Sequence, residues 1–168
     1  MESDSFGILT EFAVALAGFA GVAAALSNRG DTIDPVAWIR TLALLSWAMG
    51  AAFASVLPLL GASYSVAGSQ LWALCSLAFV PILLGQVAVL VVAAQRISQS
   101  ERALLSTYMW ALAIGGNLLV AVWQVSNAFG TGSEASPGPL AGGIVWVLVF
   151  SALTFVRMIV KLAEQPVA

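Results

Sequence analysis

The feature that most constrains this chain is a series of long apolar stretches, each close to the length that crosses a lipid bilayer. The first of them, residues 6–26, contains a single ionisable residue, Glu11. A membrane-spanning helix needs about 20 apolar residues, and its backbone must satisfy its own hydrogen bonds. The whole chain is 61% hydrophobic and only 8% charged, whereas soluble domains carry about 25% charged residues. The sequence therefore predicts an all-α integral membrane protein.

The apolar stretches predict one transmembrane domain over residues 1–168, a bundle of five transmembrane helices. The helices are expected at about residues 5–27, 36–60, 70–95, 101–129 and 140–162. Pro35 fits the first position of the second helix, and Pro58 near the end of that helix predicts a kink or an early stop. Ser98 and Glu101 have the spacing of a capping box ahead of the fourth helix.

The charged residues predict the orientation of these helices. If five helices alternate, all six basic residues fall at one end of the bundle, and the uncharged second connection and Glu134 fall at the other. Because Lys and Arg mark cytoplasmic loops, the N-terminus is expected outside and the C-terminus in the cytoplasm. Trp38, Trp72 and Trp146 lie near predicted helix ends, which is typical of interfacial anchors. Short loops and the absence of a targeting peptide favour a bacterial inner (plasma) membrane.

Glu11 is the polar residue whose position in a predicted membrane helix most needs an explanation. A carboxylate at the centre of a membrane helix costs about 2.5–3.5 kcal/mol, so it needs a partner, water or a proton. The small residues Ala15 and Gly18 share its helix face. Gln124 and Asn127 belong to the same outer end, and we expect their amides to lie nearest Glu11. The carboxylate attracts cations at an outer vestibule, or it only makes a packing contact.

A second polar set lies in the third and fourth helices. Asn117 and Gln124 share a face with the small residues Ala113 and Ala121. Gln86 follows Pro81, near the middle of the third helix, and as a buried amide it also needs a partner. These side chains either line a water path or hold helices together by hydrogen bonds.

The basic residues Arg40, Arg157 and Lys161 form a third set at the cytoplasmic end. Long side chains one turn inside a helix can extend to the interface and contact anionic headgroups.

The residue inventory argues against several classes of protein. The chain has no histidine and one cysteine, so the commonest general base and metal ligand is missing, and the sequence predicts no enzyme, no metal site and no cofactor. A net charge of −2 argues against nucleic acid as a partner.

A bundle this small does not easily enclose a pore, but identical subunits close into rings. We therefore expect a small homo-oligomeric channel or pore-forming protein in the lipid bilayer, with ions as possible cargo. The alternatives are a non-conducting accessory or assembly subunit of a larger membrane complex, and a small-solute transporter. A channel would bring Glu11, Asn117 and Gln124 together at a hydrated cavity, whereas an accessory subunit would bury each against a neighbouring helix.

Overall fold

The described part of the chain is helical almost throughout. The computed structural model describes residues 2–27, 35–103, 105, 107–130 and 134–163, and within them there is no strand. The helices are α1 (Glu2–Ser27), α2 (Pro35–Ser63), α3 (Gly68–Gln95), α4 (Gln99–Ala103), α5 (Thr107–Ala128) and α6 (Pro137–Ala163). The predicted all-α class is confirmed.

Four helices, α2, α3, α5 and α6, are long and apolar enough to cross a membrane. Within the part of α1 whose side chains the structure describes, an apolar stretch of 10–17 residues is found at Phe6–Phe19. The structure therefore supports an integral membrane protein with four candidate spans, and a fifth span by α1 remains a prediction.

The four long helices form a closed ring in which α2 packs on α3, α3 on α5, α5 on α6 and α6 on α2. Helix α1 lies outside this ring, mainly against α2 and to a smaller extent against α6. Phe6 of α1 stacks on Trp72 of α3 at 5.8 Å between ring centroids, and Phe19 lies 6.2 Å from Phe155 of α6. One side of α1 is therefore buried and the other has no neighbour within the described chain.

Two helix boundaries differ from the sequence prediction. The expected fourth helix, 101–129, is divided into the short α4 and the long α5, with a bend at Leu105. Helix α2 continues through Pro58 to Ser63 instead of stopping early. Proline costs one backbone hydrogen bond, but Pro58 and the turn before it stay packed, since Ala54, Ser55 and Pro58 are all buried.

The connection between α3 and α5 is fastened by side chains. The backbone N–H of Ser98 donates to Glu101 Oε2 at 2.8 Å, and the backbone N–H of Glu101 donates to Ser98 Oγ at 3.3 Å. This is the predicted capping box. Arg102 Nε donates to the Ala94 carbonyl at 3.1 Å and so satisfies an acceptor at the end of α3.

The antiparallel order of the ring gives the bundle two chemically different ends. Helices α2 and α5 begin, and α3 and α6 end, at the same end of the bundle, which we name the basic end. Its cavities are lined by Arg40, Arg96, Arg102 and Arg157. Arg29, by contrast, lies outside the described residues. The opposite end carries the 64–67 connection and Glu134. The predicted separation of charge holds for every arginine that the structure describes.

Candidate functional site

A chain of hydrogen bonds crosses the interior of the ring and joins all four of its helices. Trp146 Nε1 in α6 donates to Asn117 Oδ1 in α5 at 3.3 Å. Asn117 Nδ2 donates to Gln86 Oε1 in α3 at 3.3 Å, and Gln86 Nε2 donates to the Ser46 carbonyl in α2 at 3.1 Å. Asn117 and Gln86 are 3% and 4% exposed. We name these four residues the polar chain.

The direction of the polar chain is determined at both of its ends. The Trp146 indole can only donate a hydrogen bond, and the Ser46 carbonyl can only accept one. Asn117 must therefore present its oxygen to Trp146 and its nitrogen to Gln86. Gln86 must present its oxygen to Asn117 and its nitrogen to the Ser46 carbonyl. Flipping either amide would place two donors or two acceptors face to face, so the arrangement is unique.

Glycines provide the space that the polar chain occupies. A Cβ on Gly50 of α2 would collide with the amide nitrogen of Gln86, and one on Gly116 of α5 would collide with the Trp146 ring. By contrast, a Cβ on the adjacent Gly115 would meet nothing within 4 Å. The absence of a side chain at Gly50 and Gly116 lets the helices approach closely around the polar groups.

A cavity of about 350 Å³ opens toward the basic end of the ring. Its walls come from all four ring helices, and Arg40 of α2 and Arg157 of α6 both line it. We name it the basic-end cavity. Its remaining lining residues are mostly apolar: Ile39, Ala43, Trp47, Leu90, Leu105, Met109, Trp110, Ala113, Phe150, Thr154, Val156 and Val160. Thr154 Oγ1 donates to the Phe150 carbonyl at 2.9 Å, which leaves few free polar donors on its walls.

The polar chain closes the deep end of this cavity. Leu90, Ala113 and Phe150 line the cavity, and Gln86, Asn117 and Trp146 lie four residues further into the bundle on the same helices. Four residues are about one helical turn, so each lining residue sits one turn above a member of the polar chain. Trp47 and Phe150 complete the floor with an edge-to-face contact at 4.6 Å between ring centroids.

The amides near the opposite end of α5 bond to the chain at the start of α6 and, for Asn127, also to α3. Gln124 Nε2 donates to the Pro139 carbonyl at 2.7 Å, and Gln124 Oε1 is buried without a partner among the described residues. Asn127 Nδ2 donates to Ser76 Oγ at 2.9 Å and to the Ser136 carbonyl at 3.0 Å, while the Ser136 N–H donates to Asn127 Oδ1 at 3.1 Å. Asn127 thereby fixes the chain as it enters α6.

Glu11 lies apart from these amides, so the expectation that Gln124 and Asn127 lie nearest it is wrong. Helix α1 packs on α2 and α6, and the amide donors of α5 point into the ring. The carboxylate is exposed on the side of α1 that faces away from the ring. The neighbouring Thr10 faces the ring instead, where its hydroxyl lies 2.7 Å from Ser55 Oγ of α2.

The contact between Thr10 and Ser55 gives the depth of Glu11. Ser55 precedes the end of α2 by eight residues, which corresponds to about 12 Å along the helix axis. The 29 residues of α2 extend about 43 Å, close to the ~40–45 Å of a bilayer with its headgroups. If α2 is centred in a membrane and parallel to its normal, Glu11 would lie about 10 Å from the midplane, inside the ~30 Å hydrocarbon core.

Sequence reasoning found some members of these sites and missed others. It singled out Asn117, Gln86, Arg40 and Arg157, but it assigned Trp146 to a membrane interface. Trp146 instead donates to Asn117 inside the ring. Its position four residues before the apolar Phe150 and its proximity to Gly142–Gly143 were the available signals that the ring packs between helices. The side chain of Lys161 lies outside the described residues.

In comparisons with known proteins, the chain matches no protein-family model, no curated protein and no solved structure. Its function must therefore be argued from the polar chain, the basic-end cavity and the position of Glu11.

Proposed function

We propose that the protein is a non-conducting subunit of a membrane assembly, and that copies of it meet through the outward face of α1. The observation that carries this proposal is the exposure of Glu11 on that face, at a depth where lipid is a costly neighbour for a carboxylate. A second copy of the chain packed on this face would shield the carboxylate from lipid.

The residues around Glu11 suit a close contact between helices. Gly7, Ala15 and Gly18 lie on the same face, and a Cβ at Gly7 or Gly18 would meet nothing within 4 Å inside the chain. These glycines therefore leave space that the subunit itself does not use. Small residues at such spacing let two membrane helices approach closely.

The polar side chains inside the ring support a subunit that does not conduct. Asn117 and Gln86 bond to each other and to two further helices, and Asn127 bonds to Ser76 and Ser136. Glu11 does not converge with them on a common hydrated cavity, as a pore within the bundle would require.

The second candidate is a homo-oligomeric channel whose pathway follows the axis between subunits. The same exposure of Glu11 favours it, because a ring of carboxylates attracts cations. It differs from the first candidate in whether the space between the α1 helices is hydrated.

Self-association tests the proposed contact. We expect Gly18→Leu to convert the purified oligomer to monomer, as measured by light scattering in detergent, because the added side chain separates the α1 helices. Gly85→Leu is the matched control, since a Cβ at Gly85 also meets nothing within 4 Å and Gly85 is exposed on α3. A monomeric wild type, or equal dissociation of both variants, would reject the contact.

Ion flux in liposomes then separates the two candidate functions. A non-conducting subunit gives no flux above that of empty liposomes, for the wild type and for Glu11→Gln alike. Cation flux through the wild type that falls or loses cation preference in Glu11→Gln would favour the channel.

A further inference from the structure

We propose that the basic-end cavity binds an anionic phospholipid of the surrounding membrane, with the phosphate at Arg157 and one acyl chain inside the ring. This site is independent of the α1 contact and of Glu11. Its volume of about 350 Å³ lies within the ~300–1,000 Å³ of small-molecule pockets.

The charge of the cavity selects an anion. Its two arginines come from different helices, α2 and α6, and both line the same opening. Among the residues described as lining it there is no Asp or Glu. A guanidinium group binds phosphate through paired N–H donors, and Arg157 lines the opening with one such group.

The depth of the arginines matches the position of lipid phosphates. Arg40 follows the start of α2 at Pro35 by five residues, which is about 7.5 Å along the axis. With α2 centred, this is close to the boundary between the ~30 Å hydrocarbon core and the headgroups. A phospholipid bound there would keep its phosphate near its normal depth and need little displacement from the bilayer.

The walls of the cavity favour an amphiphile over a small inorganic anion. Beside the arginines, the lining is apolar and aromatic, with Leu90, Met109, Trp110, Trp47 and Phe150. Free phosphate would interact with the opening only and leave this apolar surface unfilled. An acyl chain fills it and keeps the dispersion contacts that an empty space would lose.

The polar chain limits how far the acyl chain can enter. The floor of Trp47 and Phe150 and the hydrogen bonds of Asn117 and Gln86 close the ring one turn below. The site is thus a blind pocket for a lipid of the leaflet at the basic end, and not a path across the membrane.

Lipid binding to the full-length protein tests the proposal. Native mass spectrometry from nanodiscs of phosphatidylcholine containing phosphatidylglycerol counts the phosphatidylglycerol that each variant retains. We expect Arg157→Gln to weaken that binding about tenfold, which corresponds to 1.4 kcal/mol. The matched control is Arg96→Gln, which removes the same charge at the same end but from a groove between α2 and α3. Equal loss in both variants would overturn the proposal, because net charge alone would then explain binding.

A second arm separates a lipid from a free anion. Ala113→Phe fills the apolar part of the cavity and leaves both arginines, so it should abolish phosphatidylglycerol binding. Retained binding in a folded Ala113→Phe protein would overturn the acyl-chain assignment. Inorganic phosphate that displaces the lipid completely at millimolar concentration would also overturn it, in favour of a headgroup-only anion site. Because Ala113 is buried and its replacement risks misfolding, the comparison of Arg157→Gln with Arg96→Gln tests the proposal independently.

Discussion

At the scale of single residues, the interior of this protein is organised by what each polar group can donate or accept. Trp146 only donates and the Ser46 carbonyl only accepts, so the amides of Asn117 and Gln86 have one allowed orientation. Hydrogen bonds between membrane helices are worth about 0.6 kcal/mol each on average, so the three bonds of the polar chain contribute about 2 kcal/mol. Their main effect is to fix the register of four helices.

The glycines beside the polar chain allow a sharp test of this packing. Gly116→Ala should lower the stability by about 1–3 kcal/mol, because its Cβ displaces the Trp146 ring and breaks the bond to Asn117. Gly115→Ala, one residue away and facing open space, should leave the stability unchanged or slightly raised. Unfolding in mixed detergent micelles measures both. A similar loss in the two variants would contradict the packing argument.

At the scale of elements, the link between α3 and α5 is stabilised by capping and not by burial. Helix α4 has five residues and none of them is buried. The Ser98 hydroxyl and, secondarily, its backbone N–H donate to Glu101, and these bonds hold the pKa of that carboxyl below its ordinary value. A lowered pKa in the folded state means that the folded link is favoured when Glu101 is ionised.

The stabilisation by this cap should decrease at acidic pH. The stabilisation is present above the ordinary Glu pKa of about 4.3 and is lost as the pH falls through the lower pKa of the folded state. An NMR titration of the Glu101 carboxyl should show that lowered pKa, and Ser98→Ala should move it back up. Ser100→Ala is the control, since Ser100 bonds to the Ser98 hydroxyl but not to Glu101. An unchanged pKa in Ser98→Ala would show that the cap does not form in solution.

At the scale of the whole molecule, charge and packing give the bundle a basic end and a helix outside the ring. The four described arginines line cavities at one end, whereas the opposite end has the uncharged 64–67 connection. The ring of α2, α3, α5 and α6 closes without α1, so α1 is the helix whose far side is available for a second copy.

Cysteine labelling tests the orientation that this asymmetry predicts. Cys75 is 4% exposed and can be replaced by alanine to give a cysteine-free background. Ala67→Cys and Gln99→Cys then place one thiol at each end of α3, both at exposed positions. In intact cells, a membrane-impermeant maleimide should label the first variant, and the second only after lysis. The reverse pattern would invert the orientation, and labelling of both in intact cells would contradict a spanning α3.

Much of the fold was predictable because membrane helices are indicated by local sequence patterns. Apolar length indicated the long helices, the Ser98–Glu101 spacing indicated the cap, and the arginine positions indicated which helix ends lie together. The bend at Leu105 was not predictable, because no proline or glycine marks it.

The sequence by itself determined that Asn117, Gln86 and Glu11 would need partners, water or a proton, because charged and amide groups are costly in lipid. Only the tertiary structure decided which partners they have. Helix order around the ring, and the placement of α1 outside it, depend on side-chain packing between distant segments, which no local pattern records. That packing joined Asn117 to Gln86 and Trp146, brought the two arginines to one cavity, and left Glu11 facing outward.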